Sequence, residues 1–463
     1  MAKINGIGKS NSYQVDMCNG PLFGQIVRFV IPLIISGLLQ FFFHSTDLIV
    51  IGRLSSHRAL AAVGATGALT MLMINIFIGL SVGTNVLVAR YLGEQNRKDI
   101  SRTVHTAITI SLGGGLFLAA IGICFSKPLL TLMGTPPDIL DMSALYMKII
   151  FAGMPVQMLY NFGSAILRAM GDTTRPFYFL LTGGIINVLL NLFFVIVFKW
   201  DVAGVGVATV IAQGISALLV SRVLLKMRGP CRVKLQGLHI RWKNLREMMW
   251  IGVPAGFQAS CFSLSNMLIQ SSINKFGSLV IAAMTASGTL EMLAHIALNA
   301  IGQAVVSFVG QNYGGKKAGR ITKSIQICLT LGILCAIMIA VILLLFGGFF
   351  IGIFNTDPEV IRYGIERFRV TLPLLFLCAV MEIVTGALRG LGNSVGPTVI
   401  SLFCICALRV VWLFTIFRVY PTLFVLLVGY PVTWLLNVIG VSLLLRHVLK
   451  KIMPGLKEQT ASI

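Results

Sequence analysis

Six ionisable residues of this chain lie inside long apolar stretches, where a charge is costly and usually serves a function. They are Asp47, Glu291, Glu382, Arg409, His44 and His295, and Asn161, Asn187 and Asn191 add uncharged polar groups. A carboxylate in such surroundings can exchange a proton or attract a cation. We therefore interpret the carboxylates as candidate binding groups, and we favour a plain packing role for the histidines.

The first candidate site centres on Asp47. His44 precedes Asp47 by three residues, so the two share a helix face and could share a proton. With a rise of about 1.5 Å per residue, Asp47 lies roughly 30 Å along its predicted helix, and Asn187 and Asn191 of another helix reach the same level. A carboxyl group in a dry, amide-lined pocket binds a proton more readily than an exposed one. These residues predict an ion-coupling site.

A second group of candidates lies in the C-terminal half. His295 follows Glu291 by four residues, so this pair could also share a proton. Arg409 and Glu382 lie on adjoining predicted helices and could pair, since an unpaired guanidinium in hydrocarbon would be untenable. Arg409 is equally compatible with a structural and a functional role, whereas Glu382 is the stronger functional candidate.

The composition indicates the elements that hold these residues. Hydrophobic residues make up 56% of the chain and charged residues 11%, with a mean hydropathy of +0.89, whereas soluble domains carry about 25% charged residues. Continuous apolar runs of about 20 residues predict membrane-spanning helices and exclude barrel strands. We place twelve such helices near 26–51, 59–84, 103–126, 144–166, 177–198, 203–226, 247–271, 281–308, 324–350, 370–388, 398–417 and 422–446.

An internal repeat divides the twelve helices into two sets of six. The segment from Arg168 through Gly171 to Pro176 returns as Arg389, Gly392 and Pro397, with an offset of 389 − 168 = 221. The same offset makes Asn161 the counterpart of Glu382. An even number of spans gives both copies one orientation, so we predict an all-α fold of two six-helix lobes related by a pseudo-two-fold axis along the membrane normal.

Prolines and turn residues supply the expected hinges. Pro32 and Pro254 occupy nearly equivalent places early in helices 1 and 7, where a proline bends a helix. We interpret the two segments that begin at Arg168 and Arg389 as tight structural turns, with the arginines near lipid headgroups or capping helix carbonyls.

Charge sets the predicted orientation. The formal charge of +22 is concentrated in alternate loops, which is the positive-inside pattern and not the signature of nucleic-acid binding. We therefore expect a multi-pass protein of the cell inner or plasma membrane with both termini cytoplasmic. Arg362, Arg367 and Arg369 weaken the contrast, since we assign them to the outer loop between helices 9 and 10.

The domain organisation follows from the repeat and the charges. The predicted parts are an N-terminal tail, an N-terminal lobe, a basic linker, a C-terminal lobe and a C-terminal tail, at 1–22, 23–227, 228–243, 244–448 and 449–463. No phosphate loop, nucleophile elbow or zinc-protease motif is visible, and Cys404 and Cys406 are too close for the usual zinc spacing. We expect no enzyme activity, no metal and no cofactor.

Three stretches resemble the multidrug and toxic compound extrusion (MATE) family of bacterial efflux transporters. They are Leu167–Pro176, the run from Asn187 to Gln213, and Met381–Asn393. The resemblance implies an antiporter in the lipid bilayer that exports amphipathic organic cations in exchange for protons or sodium ions, by rocking two lobes about a central cavity. We expect the protein to be a monomer. It also implies a functional aspartate in helix 1, which Asp47 matches.

The chain departs from the family pattern at three places. Asn191 stands where several relatives carry an aspartate, Gln270 is the polar residue of helix 7 where some branches use an acid, and Cys378 replaces an aspartate of helix 10. Glu382 resembles instead the Met-Glu turn of a mainly Gram-positive branch. These departures favour proton coupling and keep sodium coupling as the alternative.

A flippase for lipid-linked sugars or another lipid precursor is the rival function, because that fold is related and also duplicated. Such proteins usually have extra helices and several arginines in the cavity, whereas Arg409 is the only arginine that the sequence places deep in the membrane. The major-facilitator class shares the arrangement of six plus six helices, but its acidic-basic signature after helix 2 is absent.

Overall fold

The structure of the chain, a computed structural model, describes residues 13–461, except for the side chains of residues 68, 72, 73, 76 and 457–461. Across these residues every regular element is a helix. Each of the twelve predicted spans has a counterpart, either as one helix or as a short run of helical pieces. The predicted all-α fold is therefore confirmed.

The first six spans carry the N-terminal repeat. Their bounds are α1 Leu22–Leu54, α2 His57–Gly93, α3 Arg97–Leu132, α4a Pro137–Ala152, α4b Met154–Ala169, α5 Thr174–Leu192 and α6 Asp201–Lys226. A π-helical segment, Phe193–Val197, extends α5. The two parts of the fourth span meet at a bend of 45°.

The second six spans carry the C-terminal repeat. Their bounds are α7 Trp242–Ile273, α8 Ser278–Gly314, α9 Ala318–Phe354, α10a Pro358–Thr371, α10b Leu375–Gly390, α11a Val395–Ser401, α11b Leu408–Phe414 and α12 Leu423–Ala461. A short 3₁₀ turn, Leu372–Leu374, joins α10a to α10b. A π-helical segment, Leu402–Ala407, joins α11a to α11b.

Most of these helices could cross a bilayer. In the part of the chain that the structure describes, nine helices or helix runs are long and apolar enough to span, or ten with the bent pair α4a and α4b. The most apolar is α9, with a hydropathy of 3.1 and only 28% of its most apolar window buried. Such an exposed apolar surface fits contact with lipid and not with water.

The chain forms two compact units. Unit 1 comprises Ile31–Val253 and the described residues before Met17, and unit 2 comprises Met17–Val30 and Pro254 onwards. Both first helices, α1 and α7, are therefore divided between the units next to Pro32 and Pro254. The predicted linker at 228–243 and the start of α7 lie within unit 1.

The two repeated turns have the same backbone conformation. Gly171 and Gly392 have φ angles of 88° and 86°. In the first turn Asp172 N donates to Leu167 O at 2.9 Å and Gly171 N donates to Arg168 O at 3.0 Å. The second turn repeats both bonds between Asn393 and Leu388 and between Gly392 and Arg389. This is the Schellman arrangement, in which a left-handed residue, usually glycine, follows the helix.

Two predicted boundaries are corrected. The segment with Arg362, Arg367 and Arg369 is not a loop, because α10a begins at Pro358. Its charged residues lower the local hydropathy, so the apolar run that we used to place helix 10 starts too late. The predicted C-terminal tail is helical as far as Ala461, as a continuation of α12.

Candidate functional site

The predicted grouping around Asp47 is present in unit 1. Asp47 is 8% exposed, and the side-chain nitrogen of Asn191 donates a short hydrogen bond to Asp47 Oδ1. The same nitrogen lies 3.3 Å from Asn187 Oδ1, and Asn187 Nδ2 donates to Thr209 Oγ1 at 3.3 Å. Helices α1, α5 and α6 thus contribute one connected network, which we call the Asp47 network.

Packing and local helix geometry hold the Asp47 network in place. Val50 and Ile51, on the next turn of α1, belong to a buried apolar cluster against which Tyr146 packs. The π-helical segment of α5 begins two residues after Asn191. Such segments are rare and occur frequently at functional sites.

Charge is not balanced at the Asp47 network. Among residues 13–461, no lysine, arginine or histidine forms an ion pair with Asp47. The side chain of His44 is exposed and has no hydrogen bond to Asp47 in the described structure. Asn161, on α4b, is half-buried and is not a member of this network.

Glu291 in unit 2 has a different environment. Arg367 Nη2 lies 2.6 Å from Glu291 Oε2, and Arg367 Nε donates to the same oxygen at 3.2 Å. Thr371 Oγ1 donates to Glu291 Oε1 at 2.5 Å. An arginine and a hydroxyl therefore occupy the carboxylate, and no hydrogen bond joins it to His295 within the described structure.

Arg409 in α11b is not paired with Glu382, which corrects our prediction. Arg409 is 5% exposed. Its Nε donates to Thr433 Oγ1 at 3.3 Å, and its Nη1 donates to Asn266 Oδ1 at 3.1 Å. The guanidinium carbon lies 4.5 Å from the centre of the Tyr430 ring. Neutral groups therefore replace the expected carboxylate.

The remaining polar candidates of unit 2 lie apart. Glu382 is half-buried, and no described residue forms an ion pair with it. Its Oε2 faces Gly302, where an added Cβ would lie 3.6 Å away. Gln270 is exposed, and its side chain bonds only to the neighbouring Asn274 at 3.1 Å within the described structure. The side chain of His295 is exposed as well.

The turn arginines have side-chain environments that the sequence did not predict. Arg389 Nη2 donates to Gln258 Oε1 at 2.9 Å, so it neither caps a helix carbonyl nor reaches headgroups with that nitrogen. The Nε atoms of Arg168 and Arg389 are buried and have no partner among the described residues. Both arginines are half-buried as whole residues.

The residue after each turn glycine caps the next helix. Asp172 Oδ1 accepts a hydrogen bond from Arg175 N at 3.0 Å, and Asn393 Oδ1 accepts one from Gly396 N at 3.1 Å. Burial raises the pKa of the Asp172 carboxyl to about 6, against an ordinary value of 3.8, although Arg175 acts in the opposite direction.

Sequence reasoning missed several residues that contact Asp47, Glu291 and Arg409 or their partners. We assigned Arg367 to a loop, but its side chain is only 13% exposed. Our prediction that Arg409 is the only arginine deep in the membrane is therefore wrong. Thr209 and Tyr430 are separated by 430 − 209 = 221 residues. Applying the repeat offset to polar residues of helix 6 would have found this pair.

Known proteins resemble the chain over nearly its whole length. A family model described as MatE matches twice, at residues 32–193 and 254–415. Probable multidrug resistance protein YoeA from Bacillus subtilis is 29% identical over 426 residues, which cover 90% of this chain and 91% of that protein. Multidrug export protein MepA from Staphylococcus aureus is 22% identical over 387 residues, which cover 82% and 84%.

A solved structure gives the same fold. The structure described as "Crystal structure of MATE in the bent conformation" has a TM-score of 0.87 and 20% identity, covering 98% of this chain and 100% of that one. This similarity confirms the two-lobe, twelve-helix fold. Since the two family matches together cover more than half of the residues, the chain belongs to the MatE family of multidrug and toxic compound extrusion transporters.

Proposed function

We propose that this protein is a secondary antiporter that exports amphipathic organic cations in exchange for protons through alternating access. The observation that carries the proposal is the Asp47 network, a buried carboxylate without a cationic partner among the described residues. A charge in such a place is expensive unless it is neutralised. Binding and releasing a cation or a proton at Asp47 would therefore change the energy of the surrounding helices.

The hydrogen-bond pattern supports a proton as the coupling ion. Asn191 presents an N–H group to Asp47 and not an oxygen. A metal cation such as sodium needs several oxygen ligands, whereas a proton needs only the carboxylate itself. Asn191 is also where several family members carry a second aspartate, so this chain has fewer anionic oxygens to offer sodium.

The relatives support the choice of substrate. YoeA and MepA are named as a probable multidrug resistance protein and a multidrug export protein. Aromatic faces and carboxylates attract large organic cations, and Glu382 provides a carboxylate without an ion pair in the described part of unit 2. We further propose a location in the cell membrane with both termini cytoplasmic, on the basis of the positive-inside pattern.

The test is transport of ethidium in membrane vesicles, with a proton gradient or a sodium gradient imposed separately. We expect proton-driven transport in the wild-type protein and its loss in Asp47→Asn, because an amide cannot exchange a proton. Asp138→Asn is the matched control, since Asp138 is an exposed acid of the same unit. It should leave transport unchanged.

The other outcomes are equally informative. Sodium-driven transport that persists in Asp47→Asn would contradict the proposed ion and the proposed residue. Absence of ethidium transport under both gradients would contradict the antiporter and favour the lipid-precursor flippase. Binding of ethidium to purified protein, followed by fluorescence, separates loss of coupling from loss of substrate binding.

A further inference from the structure

A groove on the surface of unit 2 lies between α9 and α10a and has a volume of about 360 Å³. Its lining is apolar apart from one arginine, and it includes Leu345, Phe346, Phe349, Ile365, Phe368 and Arg369. Leu345 and Phe349 are 72% and 69% exposed, so this wall of the groove faces outward. In a bilayer, an exposed apolar surface of this kind meets lipid chains and not water.

A glycine of α9 leaves space in the groove. Gly348 belongs to the lining, and a Cβ added there would lie 3.6 Å from Ile365 Cδ1 and 3.8 Å from Ile361 Cγ2. These are ordinary contact distances, so a side chain at this position would project into the groove without a clash. Gly352, one turn further along α9, is not among the residues that line the groove. The missing side chain of Gly348 therefore leaves room for part of an acyl chain.

Arg369 is the charged residue of the groove, and no described residue balances its charge. It is exposed and forms no ion pair or hydrogen bond within residues 13–461. Glu366 lies one turn earlier on α10a, but no ion pair joins it to Arg369. The nearby Arg367, in contrast, pairs with Glu291 at 2.6 Å. A cation on a lipid-facing surface is costly unless a counter-ion meets it.

The groove lies at a level where lipid phosphates can reach Arg369. Arg369 follows the start of α10a by 369 − 358 = 11 residues, and Leu343 precedes the end of α9 by 354 − 343 = 11 residues. Both distances are roughly 16 Å along the helix. The 37 residues of α9 span about 55 Å, whereas the hydrocarbon core is about 30 Å thick. The ends of α9 therefore extend beyond the core, and a long arginine side chain near its border can place the guanidinium among the headgroups.

We propose that this groove binds one anionic phospholipid, with an acyl chain between α9 and α10a and the phosphate on Arg369. The exposed apolar walls suit the chain. The guanidinium suits the phosphate, because its planar fork can donate two parallel hydrogen bonds to phosphate oxygens. The lipid supplies the counter-ion that the described residues do not supply to Arg369. This inference is independent of the coupling ion and of the exported substrate.

Unit 1 provides an internal reference. The repeat offset makes Lys148 the counterpart of Arg369, because 369 − 148 = 221, and both residues are exposed. Lys148 interacts electrostatically with Asp141, whose carboxylate also lies 2.7 Å from Lys127 Nζ. A carboxylate of the protein thus balances the cations at this place in unit 1. We therefore expect a phosphate to be held at Arg369 and not at Lys148.

The test is photo-crosslinking with two lipid probes that share their acyl chains. One is a phosphatidylglycerol with a diazirine in an acyl chain, and the other is the corresponding diacylglycerol, which lacks the phosphate. Each is incorporated into phosphatidylcholine nanodiscs that contain the purified full-length protein, and labelled peptides are quantified by mass spectrometry. In the wild type we expect phosphatidylglycerol to label residues 343–349 of α9 more strongly than the equivalent residues 122–128 of α3. Equal labelling of the two segments would show ordinary contact with bulk lipid and would overturn the proposal.

Variants separate the contribution of the charge from that of the groove. Arg369→Gln should lower labelling of α9 by phosphatidylglycerol about ten-fold or more, which is what loss of a hydrogen bond between charged groups brings about. Labelling by diacylglycerol should stay the same, which also shows that the variant is folded. Lys148→Gln is the matched control and should change neither probe. An equal loss of both probes in Arg369→Gln, or no loss of either, contradicts the role of Arg369.

A second pair of variants tests the place of the acyl chain. Gly348→Leu fills the groove and keeps the arginine, so it should lower labelling of α9 by both probes. Gly352→Leu adds the same side chain one turn away, where a Cβ would lie 3.9 Å from Ile361 Cδ1, and should leave labelling unchanged. If Gly348→Leu and Gly352→Leu label alike, the chain does not lie in the groove and the proposal fails.

Discussion

Asp47 and Glu291 are nearly equally buried carboxylates, at 8% and 6% exposed, with opposite surroundings. Asp47 accepts a hydrogen bond from a neutral amide, whereas an arginine and a threonine close around Glu291. Burial alone therefore does not identify a coupling residue in this protein. The counter-ion distinguishes the two acids. Without one, Asp47 can change its charge at little structural cost, whereas Glu291 holds helices together through its arginine.

The same contrast separates the two units. Helices α1, α5 and α6 place a carboxylate among amides, and their repeat counterparts α7, α11b and α12 place a guanidinium among neutral groups. Thr209 and Tyr430 occupy matching positions of the two copies. Equivalent helices of the two copies thus surround a negative charge in unit 1 and a positive charge in unit 2.

The same substitution at the two acids should give the largest difference. Glu291→Gln leaves Arg367 buried without a counter-ion and should lower the free energy of unfolding by about 3–5 kcal/mol. Asp47→Asn removes a charge that has no cationic partner in the described structure and should cost less than about 1 kcal/mol, within the usual range of mild substitutions. Thermal unfolding of both variants in detergent checks this.

A double substitution sharpens the result. Glu291→Gln with Arg367→Gln removes both charges, so it should be more stable than Glu291→Gln alone if the loss comes from an unpaired guanidinium. If the two single acid variants lose equal stability, the distinction between a closed and an open carboxylate is wrong.

Turn geometry was predictable because it depends on local sequence. The glycine and proline of the two segments predicted tight turns, and Gly171 and Gly392 both adopt the left-handed conformation that such a turn after a helix favours. The meeting of Asp47 with Asn191 was also predictable, because a constant rise per residue sets the depth of a side chain in a straight helix.

The partners of Arg409 were not predictable by the same reasoning. The position along the helix axis put Arg409 at the level of Glu382. Whether the two side chains face each other depends also on the rotation of each helix about its axis, which the level does not give. The π-helical segment that ends at Ala407 changes that rotation two residues before Arg409. The burial of Arg367 was not predicted for another reason. Its charged neighbours Glu366 and Arg369 lower the hydropathy at the start of a helix that buries only one face.

Alanine at the two turn glycines should reveal how the copies differ in packing. Both glycines have positive φ, which costs a residue with a Cβ about 1–2 kcal/mol. An added Cβ at Gly171 would also meet the backbone of Val15, whose nitrogen lies 3.0 Å away, whereas Gly392 has open space. We expect Gly171→Ala to lose roughly 2–4 kcal/mol and Gly392→Ala about half of that.

Unfolding in detergent measures this difference too. The matched control is Gly455→Ala, at a helical glycine with open space around it and no positive φ. Gly455→Ala should leave the free energy of unfolding unchanged or raise it by up to about 1 kcal/mol. Equal losses at Gly171 and Gly392 would show that backbone conformation alone, without the contact to Val15, sets the cost.

The smallest expected effect concerns Asp172 and Asn393, which cap equivalent helices with an acid and an amide. The pKa of Asp172 is about 6 in the folded protein, against an ordinary value of 3.8, because burial disfavours the charged form. Between these values the folded state binds more protons than the unfolded state. Stability should therefore fall as the pH rises from about 4 to about 6 and then stay level.

Asp172→Asn gives the first turn the amide of the second and should remove this pH dependence. Asparagine keeps the cap and cannot ionise, so the variant should match the wild type at pH 4. At pH 7 it should exceed the wild type by on the order of 1–3 kcal/mol, because the pKa rises from 3.8 to about 6 and each pKa unit corresponds to about 1.4 kcal/mol. Unfolding temperatures of both proteins between pH 4 and pH 8 decide the matter. A variant that is less stable than the wild type at pH 7 would show that the attraction between Asp172 and Arg175, at 3.4 Å, outweighs the cost of burying the carboxylate.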